Sequence, residues 1–317
     1  MKFATLSHLL NEHNLKQIPP NWIKKDYIIS PELNLDKAKG YVIALNLLPK
    51  QVMEYPREYI RKRILDIALI AQDEYGVDII QLGALTTSVT NGAKWLVNQK
   101  EYSGYVTHGD SYTASVSIQA VFKILEKFNK DSEDLNLTII GAYGIIGEAI
   151  SKILVQQFKH TILIGRRKEK LDELSKKIKG NFETTTDIKT KDSDVIVTAT
   201  SHPTALLKQN HLKKNAIVVD VSQPPNLTKN ICELRKDVLR IDGGFVDFPY
   251  EYPIPIPGMP KGKNFACIAE VIMQSMENEE KNHVGSIDLN HLKKTENWAR
   301  KYGYTLDELT NFGKNIY

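Results

Sequence analysis

A glycine-spaced turn between two apolar segments constrains the fold of this chain more than any other feature. Apolar residues at 137–140 lead into Gly141, Gly144 and Gly147, an apolar-periodic helix follows, and a second apolar segment occupies residues 161–164. This order of strand, turn, helix and strand is the setting that a dinucleotide-binding glycine motif requires. The sequence therefore predicts an α/β fold: a Rossmann-type, doubly wound parallel sheet with a second, smaller α/β substrate domain.

Each glycine of the turn has a separate predicted task. Gly141 lets the chain reverse tightly, Gly144 lets a pyrophosphate approach the backbone, and Gly147 lets the helix pack close to the strand. The N-terminus of the following helix offers unpaired N–H groups and partial positive charge to the phosphates. The spacing is G-x-x-G-x-x-G, a looser variant of the usual motif. The predicted cofactor-binding turn comprises Gly141, Tyr143, Gly144, Ile145, Ile146 and Gly147.

The end of the second apolar segment indicates which dinucleotide is bound. An NAD-binding domain usually has an acidic residue there to hold the ribose 2′-hydroxyl, whereas this chain has Gly165, Arg166 and Arg167. Guanidinium groups pair with a 2′-phosphate and stack on adenine. The sequence therefore predicts NADPH as the cofactor, with Arg166 and Arg167 among its ligands. The alternative is that one arginine only caps the next helix.

Composition excludes several classes of function. The 317 residues are 42% hydrophobic and 25% charged, with a net charge of +4 that is too small to indicate nucleic-acid binding. No segment has the length of a membrane span, and the N-terminus lacks a signal-peptide core. Two cysteines do not form a disulfide framework, so a reducing cytoplasm is expected. No His, Cys and Asp residues have metal-ligand spacing, and no catalytic metal is expected.

The chain is long enough for two domains. Predicted parts are an N-terminal α/β substrate domain at 1–130, an NADPH-binding domain at 131–265, and a C-terminal helical segment at 266–317 that packs between them and carries a cysteine. The first 35 or so residues are expected to form a loosely packed arm or edge elements. An amphipathic helix is predicted at 57–75. Further predicted elements are a strand at 41–48, helices at 111–128 and 265–276, a proline-rich loop at 249–260, and a helical tail from residue 296.

Cys267 is the candidate nucleophile. Asn264 is predicted to cap a helix whose first turn contains Cys267, where the helix dipole favours a thiolate. Lys261 and Lys263 add positive charge nearby. A thiolate beside a nicotinamide is suited to thioester reduction, because the sulfur accepts the acyl group that hydride then reduces. Judged from position alone, a small buried apolar side chain is the more common role for such a cysteine.

The chain resembles the long-chain acyl-[acyl-carrier-protein] reductase family, which forms fatty aldehydes. The resemblance covers residues 40–313. The shared segments include G-Y-V-I-A-L-N-L-L-P, G-D-S-Y-T-A, G-A-Y-G-I-I-G, I-D-G-G-F-V and N-F-A-C-I-A-E. The last contains the family's acylated cysteine, and Cys267 occupies that position. The resemblance thus implies a cysteine thioester that NADPH reduces to an aldehyde.

Two segments depart from the family pattern. Where the family commonly has G-N-T-H-T-A, this chain has G-D-S-Y-T-A at 109–114. Tyr112 is a candidate donor to the developing oxyanion, Ser111 is a second catalytic candidate, and His108 is a weaker substitute for the missing histidine. The segment V-V-D-V-S-Q-P-P-N-L resembles the D-x-x-x-P segment of glutamyl-tRNA reductase instead. Further predicted cofactor contacts are Thr200, Ser201 and Gly243.

The expected substrate is an acyl thioester, on coenzyme A or on an acidic acyl-carrier protein. Such a carrier could dock on the basic helix face formed by Arg57, Arg61, Lys62 and Arg63, although such runs are usually only solvated. Two alternatives remain: a direct-hydride dehydrogenase of a small oxo- or amino-acid, of the shikimate or amino-acid dehydrogenase type, and a nucleotide sensor that has lost turnover. The length of the acyl chain, the identity of its carrier and the oligomeric state of the protein stay open.

Overall fold

A computed structural model describes residues 1–202 and 204–316, which divide into two compact units. Unit 1 consists of Met1–Tyr112 and Val246–Thr305, and unit 2 of Thr113–Phe245 and Leu306–Tyr317. Each unit therefore combines two separate stretches of the chain. The boundaries fall at 112 and 245, whereas the sequence placed them at 130 and 265.

Unit 1 contains a six-stranded mixed sheet in the order β2-β4-β1-β5-β6, with β3 paired to β4. Strands β1, β4, β5 and β6 run parallel, while β2 and β3 run antiparallel to β4. The strands are β1 (Lys2–His8), β2 (Tyr27–Ile29), β3 (Leu33–Leu35), β4 (Ala38–Leu45), β5 (Ile79–Leu82) and β6 (Tyr105–Thr107).

Strand β1 shows that a loosely packed arm is wrong for the start of the chain, whereas β2 and β3, which pair with β4 at one side of the sheet, agree with the expected edge elements. Strand β1 lies between β4 and β5 near the centre of the sheet, and Phe3, Ala4 and Leu6 are fully buried. Its polar residues suggested an exposed segment, but their hydrogen bonds are formed inside the fold. Thr5 Oγ1, for example, donates a hydrogen bond to Gln81 Oε1 on β5. A central strand buried on both faces therefore carries no alternating pattern.

Seven helices of unit 1 surround this sheet in the described chain. They are α1 (Glu12–Gln17), α2 (Pro49–Glu54), α3 (Arg57–Asp73), α4 (Leu85–Val89), α5 (Lys94–Val97), α10 (Ala266–Met276) and α11 (Leu289–Tyr302). Helix α3 buries Ile60, Ile64, Ile67, Ala68 and Ala71, which confirms the predicted apolar face. Helix α10 packs on β1 and β5 and is buried along most of its length. Strands β13 (Phe245–Asp247) and β14 (Lys263–Phe265) form a two-stranded ribbon, and the proline-rich loop connects them.

Unit 2 contains a six-stranded parallel sheet in the order β12-β11-β10-β7-β8-β9. Counted from β7, this is the 3-2-1-4-5-6 order of the Rossmann fold, with its topological switch point between β7 and β10. The predicted fold class is thus confirmed. The strands are β7 (Asn136–Ile140), β8 (His160–Ile164), β9 (Phe182–Thr185), β10 (Val195–Thr198), β11 (Ile217–Asp220) and β12 (Leu239–Asp242).

The helices of unit 2 are α6 (Asp110–Lys127), which begins at the end of unit 1, α7 (Ile145–Leu154), α8 (Lys168–Ser175) and α9 (Lys229–Leu234). The C-terminal region differs from the predicted helical tail. Helix α11 begins at Leu289 and ends at Tyr302, because Gly303 adopts a left-handed conformation. A hairpin of β15 (Thr310–Asn311) and β16 (Lys314–Asn315) follows it.

Candidate active site

The glycine turn of unit 2 is built as a nucleotide cradle. Gly141 ends β7 with φ +88°, and its N–H and that of Ala142 both donate to the carbonyl oxygen of Ile164. Gly144 is the N-cap of α7. A Cβ at Gly147 would collide with the carbonyl oxygen of Gly141. The two outer glycines are thus required by packing and backbone conformation, and the N–H groups that open α7 are left for a phosphate.

The turn after β7 touches the turn after β10, the other strand at the switch point. A Cβ at Gly141 would lie 2.8 Å from the carbonyl carbon of Ala199. The next residue is Thr200, whose backbone N–H donates to Ser222 Oγ at 2.9 Å and whose hydroxyl donates to Asn226 Oδ1 at 3.1 Å. Ser201 is exposed. Ligands of open parallel sheets bind in such a crevice, so the geometry supports nucleotide binding here.

Arg166 and Arg167 follow β8 and are both exposed. Tyr143, from the glycine turn, accepts a hydrogen bond from the backbone N–H of Arg167 at 3.2 Å, and its ring lies 5.6 Å from the Arg167 guanidinium carbon. A Cβ at Gly165 would lie 2.7 Å from Tyr143 Cδ1, so this glycine makes room for the ring. The structure therefore brings the predicted arginines next to the predicted turn.

Gly243 has a packing reason that the sequence did not indicate. It is buried, a Cβ there would lie 2.7 Å from Val221 Cγ2, and its carbonyl accepts a hydrogen bond from Ser117 at 2.6 Å. The absence of a side chain is thus explained by the fold of unit 2. A contact between Gly243 and the nicotinamide remains a prediction.

Cys267 lies in unit 1 as the second residue of α10, in the predicted first turn, and it is partly exposed. The N-cap is Phe265 rather than the predicted Asn264, which lies in β14. Gly109, with φ +70°, passes directly against the cysteine backbone: a Cβ there would lie 2.7 Å from Cys267 Cα. The G-D-S-Y-T-A segment and the cysteine motif therefore form one site.

The surroundings of Cys267 do not favour the thiolate, contrary to the argument from the helix dipole. Burial, followed by the nearby carboxyls of Asp110 and Glu270, raises the pKa of the thiol to about 12. Lys263 supplies no free charge, because its ammonium pairs with Asp247. The resting cysteine is therefore a thiol, and a reaction through its sulfur needs a group that accepts its proton.

Glu270 follows Cys267 on α10 and is completely buried. Its carboxylate accepts hydrogen bonds from the Tyr112 backbone N–H at 2.7 Å and Thr107 Oγ1 at 3.3 Å, and it lies 3.2 Å from His291 Nε2. Burial alone would raise the pKa of Glu270, but the bonds from His291 and Tyr112 outweigh it and hold the pKa below its usual value. Glu270 is therefore a buried anion.

Asp110 behaves in the opposite way. Burial, followed by the charge of Glu270, raises the pKa of the Asp110 carboxyl well above its usual value. Its backbone N–H donates to His108 Nδ1 at 3.0 Å, which leaves the ring proton on Nε2. Burial lowers the pKa of His108 to about 4, so the imidazole is neutral. Two carboxyls with opposite pKa shifts beside one thiol are the pattern of an acid–base site.

The sequence argument missed Asp110 and Glu270 as functional residues. Both stand inside the segments that carried the family resemblance, and that was the available signal. Ser111 and Tyr112, the predicted catalytic pair, are almost fully buried at 1% and 2% exposure. Burial, followed by the carboxylates of Glu296 and Asp247, raises the pKa of the Tyr112 phenol, which therefore keeps its proton. Their catalytic roles remain predictions.

Comparisons with known proteins agree with the Rossmann fold of unit 2. The sequence model of the family described as Shikimate / quinate 5-dehydrogenase matches residues 123–242, which lie in unit 2. Aminotransferase PigE of a Serratia species is 22% identical over 289 residues, covering 88% of this chain and 33% of that protein. Glutamyl-tRNA reductase of Christiangramia forsetii is 28% identical over 176 residues, covering 54% of this chain and 40% of that protein.

A long-chain acyl-[acyl-carrier-protein] reductase of Synechococcus elongatus is 22% identical over 275 residues, covering 81% of this chain and 80% of that protein. The chain thus spans well under half the length of the first two relatives and most of the third. Together with the sheet order, these matches place unit 2 among Rossmann-type nucleotide-binding folds. Among the described residues, none of the helices combines the length and apolar character needed to span a bilayer.

Proposed function

We propose that this protein reduces an acyl thioester to an aldehyde with NADPH, by way of an acyl group carried on Cys267. The observation that supports this most is the setting of the thiol: it is partly exposed in the first turn of α10, with a protonated carboxyl and a buried carboxylate beside it. A direct hydride transfer to a small oxo-acid would not require this thiol.

The residues of unit 2 fit a dinucleotide. The turn at 141–147 has no room for a Cβ at its first and last glycines, and Gly144 exposes the start of α7 to a phosphate. Arg166 and Arg167 would pair with a 2′-phosphate, and Thr200 and Ser201 lie at the opposite side of the switch point. When bound, the reduced nicotinamide supplies the hydride.

The first chemical step transfers the acyl group to the enzyme. Cys267 Sγ attacks the thioester carbonyl carbon, the bond between that carbon and the carrier sulfur breaks, and the carrier leaves as a thiol. Asp110 gives its proton to the departing sulfur and accepts the proton that Cys267 loses, so no net charge builds up in the buried site. The fixed negative charge of Glu270 keeps Asp110 protonated until this exchange.

The second step releases the product. After hydride addition, Cys267 carries a thiohemiacetal whose oxygen takes the proton of Asp110. Collapse of this adduct breaks the carbon–sulfur bond, passes the hydroxyl proton to the sulfur, frees the aldehyde and returns Cys267 as a thiol. Asp110 then regains a proton from solvent. The overall reaction consumes one thioester, one NADPH and one proton, and it yields an aldehyde, a free carrier thiol and NADP⁺. Tyr112, whose phenol keeps its proton, is proposed as an additional donor to the oxygen.

The basic face of α3 gives only limited support for an acidic carrier. Arg57 and Arg61 donate to the Val89 carbonyl, and Lys62 and Arg63 pair with carboxylates. Since these cations are largely satisfied within unit 1, we propose coenzyme A thioesters as well as carrier-protein thioesters as substrates. A comparison of both carriers with one acyl chain distinguishes them.

Intact-mass measurement after incubation with acyl thioesters, without NADPH, tests the proposal. We expect a mass gain of one acyl group, its absence in Cys267→Ala, and its discharge as aldehyde when NADPH is added. Cys232→Ala is the matched control and should load normally, because it removes the chain's other cysteine. Acylation that persists in Cys267→Ala would overturn the covalent mechanism.

A second candidate function follows from the matched family model, which covers residues 123–242. In this alternative, the protein oxidises or reduces a small hydroxy-, oxo- or amino-acid by direct hydride transfer. It predicts that Cys267→Ala keeps full turnover with such a substrate. Normal NADPH binding, no acyl adduct and turnover by Cys267→Ala would together favour this function over the thioester reaction.

A further inference from the structure

Three side chains of unit 1 converge between α10 and α11. Glu279 follows α10, His283 lies in the connecting segment, and His291 is in the first turn of α11. One potential ligand atom from each of the three lies within 4.8 Å of the other two. The two imidazole rings are stacked at a centroid distance of 3.3 Å and an interplanar angle of 6°. Their separation along the chain matches no common ligand motif, so the cluster could not be predicted from the sequence.

His291 provides a second, independent observation, a buried ring nitrogen without a hydrogen-bond partner in the described chain. Its residue is 5% exposed, its Nε2 faces Glu270 at 3.2 Å, and its Nδ1 has no hydrogen-bond partner among the described residues. The hydrogen bond between His291 Nε2 and a Glu270 carboxyl oxygen places the ring proton on Nε2, so Nδ1 holds a lone pair. A buried acceptor without a partner destabilises the fold. A histidine that binds a metal through one ring nitrogen is usually oriented by a carboxylate hydrogen-bonded to its other ring nitrogen, as Glu270 is here.

The other two side chains are held in place by the backbone. His283 extends the sheet beside β6: its N–H donates to Val106 at 2.9 Å, and its carbonyl accepts from His108 at 3.1 Å. The Glu279 backbone is fixed by Gln274, whose side-chain amide donates to the Glu279 carbonyl at 3.1 Å. Such preset positions reduce the entropy lost when ligands gather around an ion.

The charge of the cluster also suits a cation. Glu279 Oε1 lies 3.1 Å from His283 Nε2, while its other oxygen pairs with the ammonium of Lys294. Lys294 also lies over the ring of Trp298. Two carboxylates, Glu270 and Glu279, therefore face one lysine and two imidazoles. The two negative charges exceed the single lysine charge, so a dication is electrostatically compatible with the cluster.

We propose that Glu279, His283 and His291 bind a divalent transition-metal ion of the zinc class. Two imidazoles and one carboxylate form a borderline ligand set that favours Zn²⁺ over Mg²⁺ or Ca²⁺. The ion ties the start of α11 and the segment after α10 to the edge of the sheet. Its ligand His291 is hydrogen-bonded to Glu270, and Glu270 in turn accepts a hydrogen bond from the Tyr112 backbone N–H. This inference is independent of the reaction proposed for Cys267.

Metal binding to the full chain, after removal of bound metal with a chelator, tests the site. We expect one Zn²⁺ per chain by competition with a chromophoric chelator, and visible ligand-field bands when Co²⁺ replaces it. His283→Gln and Glu279→Gln should each weaken Zn²⁺ binding by about 100-fold or more, because each removes one of three ligands. Glu279→Gln keeps the side-chain shape, so it serves as the variant least prone to misfolding.

Two controls separate this site from other metal ligands. His13→Gln removes an exposed histidine on α1 and should leave the affinity unchanged. Cys267→Ala should also bind Zn²⁺ normally, which would exclude the thiol as the ligand. Zn²⁺ should raise the melting temperature of the unaltered chain and of both controls, but not of His283→Gln. Absence of stoichiometric binding, or binding lost in Cys267→Ala and kept in His283→Gln, would overturn the proposal.

Discussion

Gly109 and Cys267 share one backbone contact that fixes the start of helix α10. A Cβ on Gly109 would lie 2.7 Å from Cys267 Cα and 2.8 Å from its carbonyl carbon, closer than real Cβ atoms approach other atoms. Gly109 also has φ +70°, where side chains are strained. The loop that carries Asp110 can therefore reach the cysteine only because residue 109 is glycine.

Gly109→Ala should displace this loop and abolish acyl loading while NADPH binding in unit 2 persists. The left-handed conformation alone costs about 1–2 kcal/mol with a Cβ, and the collision adds to it. Gly76→Ala is the matched control, because Gly76 has φ +64° but nothing within 4 Å of its Cβ position. Thermal unfolding and acyl-adduct mass should show a larger loss for Gly109→Ala. Equal losses in both variants would mean that the contact is unimportant.

The raised pKa of Cys267 predicts an unusual pH profile for alkylation. Because the thiolate is the reactive form and the pKa is about 12, iodoacetamide modification should be slow at pH 7 and rise about tenfold per pH unit up to pH 10. The rate is measured by mass spectrometry in a Cys232→Ser background. Glu270→Gln should increase the rate at a given pH, since it removes a buried carboxylate whose charge raises the thiol pKa. A rate that levels off below pH 9 would contradict the assigned environment.

Arg167 and Arg166 predict the cofactor preference. Arg167→Ala should weaken NADPH binding by about 10- to 100-fold, as expected for one charge-assisted hydrogen bond to a phosphate, and change NADH binding little. Nucleotide fluorescence measures both affinities. Lys168→Ala is the control, because it removes the next exposed cation along the chain. Equal weakening of both nucleotides would show that Arg167 acts on the fold of the turn through Tyr143 instead.

The Rossmann unit was predictable because its signals are local. The strand, the three glycines, the helix and the arginines lie within residues 137–167. Gly141 is required by its positive φ, and Gly147 by its close approach to Gly141. Strand β1 was not predicted because it is buried on both faces, so its sequence shows no alternation of apolar and polar residues. Its polar Thr5 is buried as well, with its hydroxyl hydrogen-bonded to Gln81.

The acid–base pair at Cys267 was beyond reach for a different reason. Asp110 and Glu270 lie 160 residues apart, and their pKa values move in opposite directions only because burial and hydrogen bonding differ between them. Nothing in either local segment encodes that difference. The same applies to His283 and His291, whose stacking depends on a backbone bridge between His283 and Thr107.

A buried ionic network holds the C-terminal hairpin to unit 2. The Arg240 guanidinium, 1% exposed, pairs with Asp220 at 3.1 Å and Asp242 at 2.6 Å. Asp242 in turn accepts hydrogen bonds from Thr310 and the Gly313 N–H, both at 2.8 Å. The ring of Phe312 lies 4.1 Å from the guanidinium carbon. Strands β11 and β12 and the hairpin thus depend on one arginine.

Arg240→Leu should lower the free energy of unfolding by about 3–5 kcal/mol, because it leaves two carboxylates buried without their cation. Chemical denaturation measures the loss, and hydrogen exchange should increase at 306–316 as the hairpin detaches. Lys170→Leu is the control: it breaks an ion pair with Glu173 whose side chains are 44% and 54% exposed, and such pairs contribute less than about 1 kcal/mol. If Arg240→Leu were as stable as Lys170→Leu, the network would not be what holds the hairpin in place. A large loss of stability with intact NADPH affinity at low temperature would place its role in folding rather than in the nucleotide site.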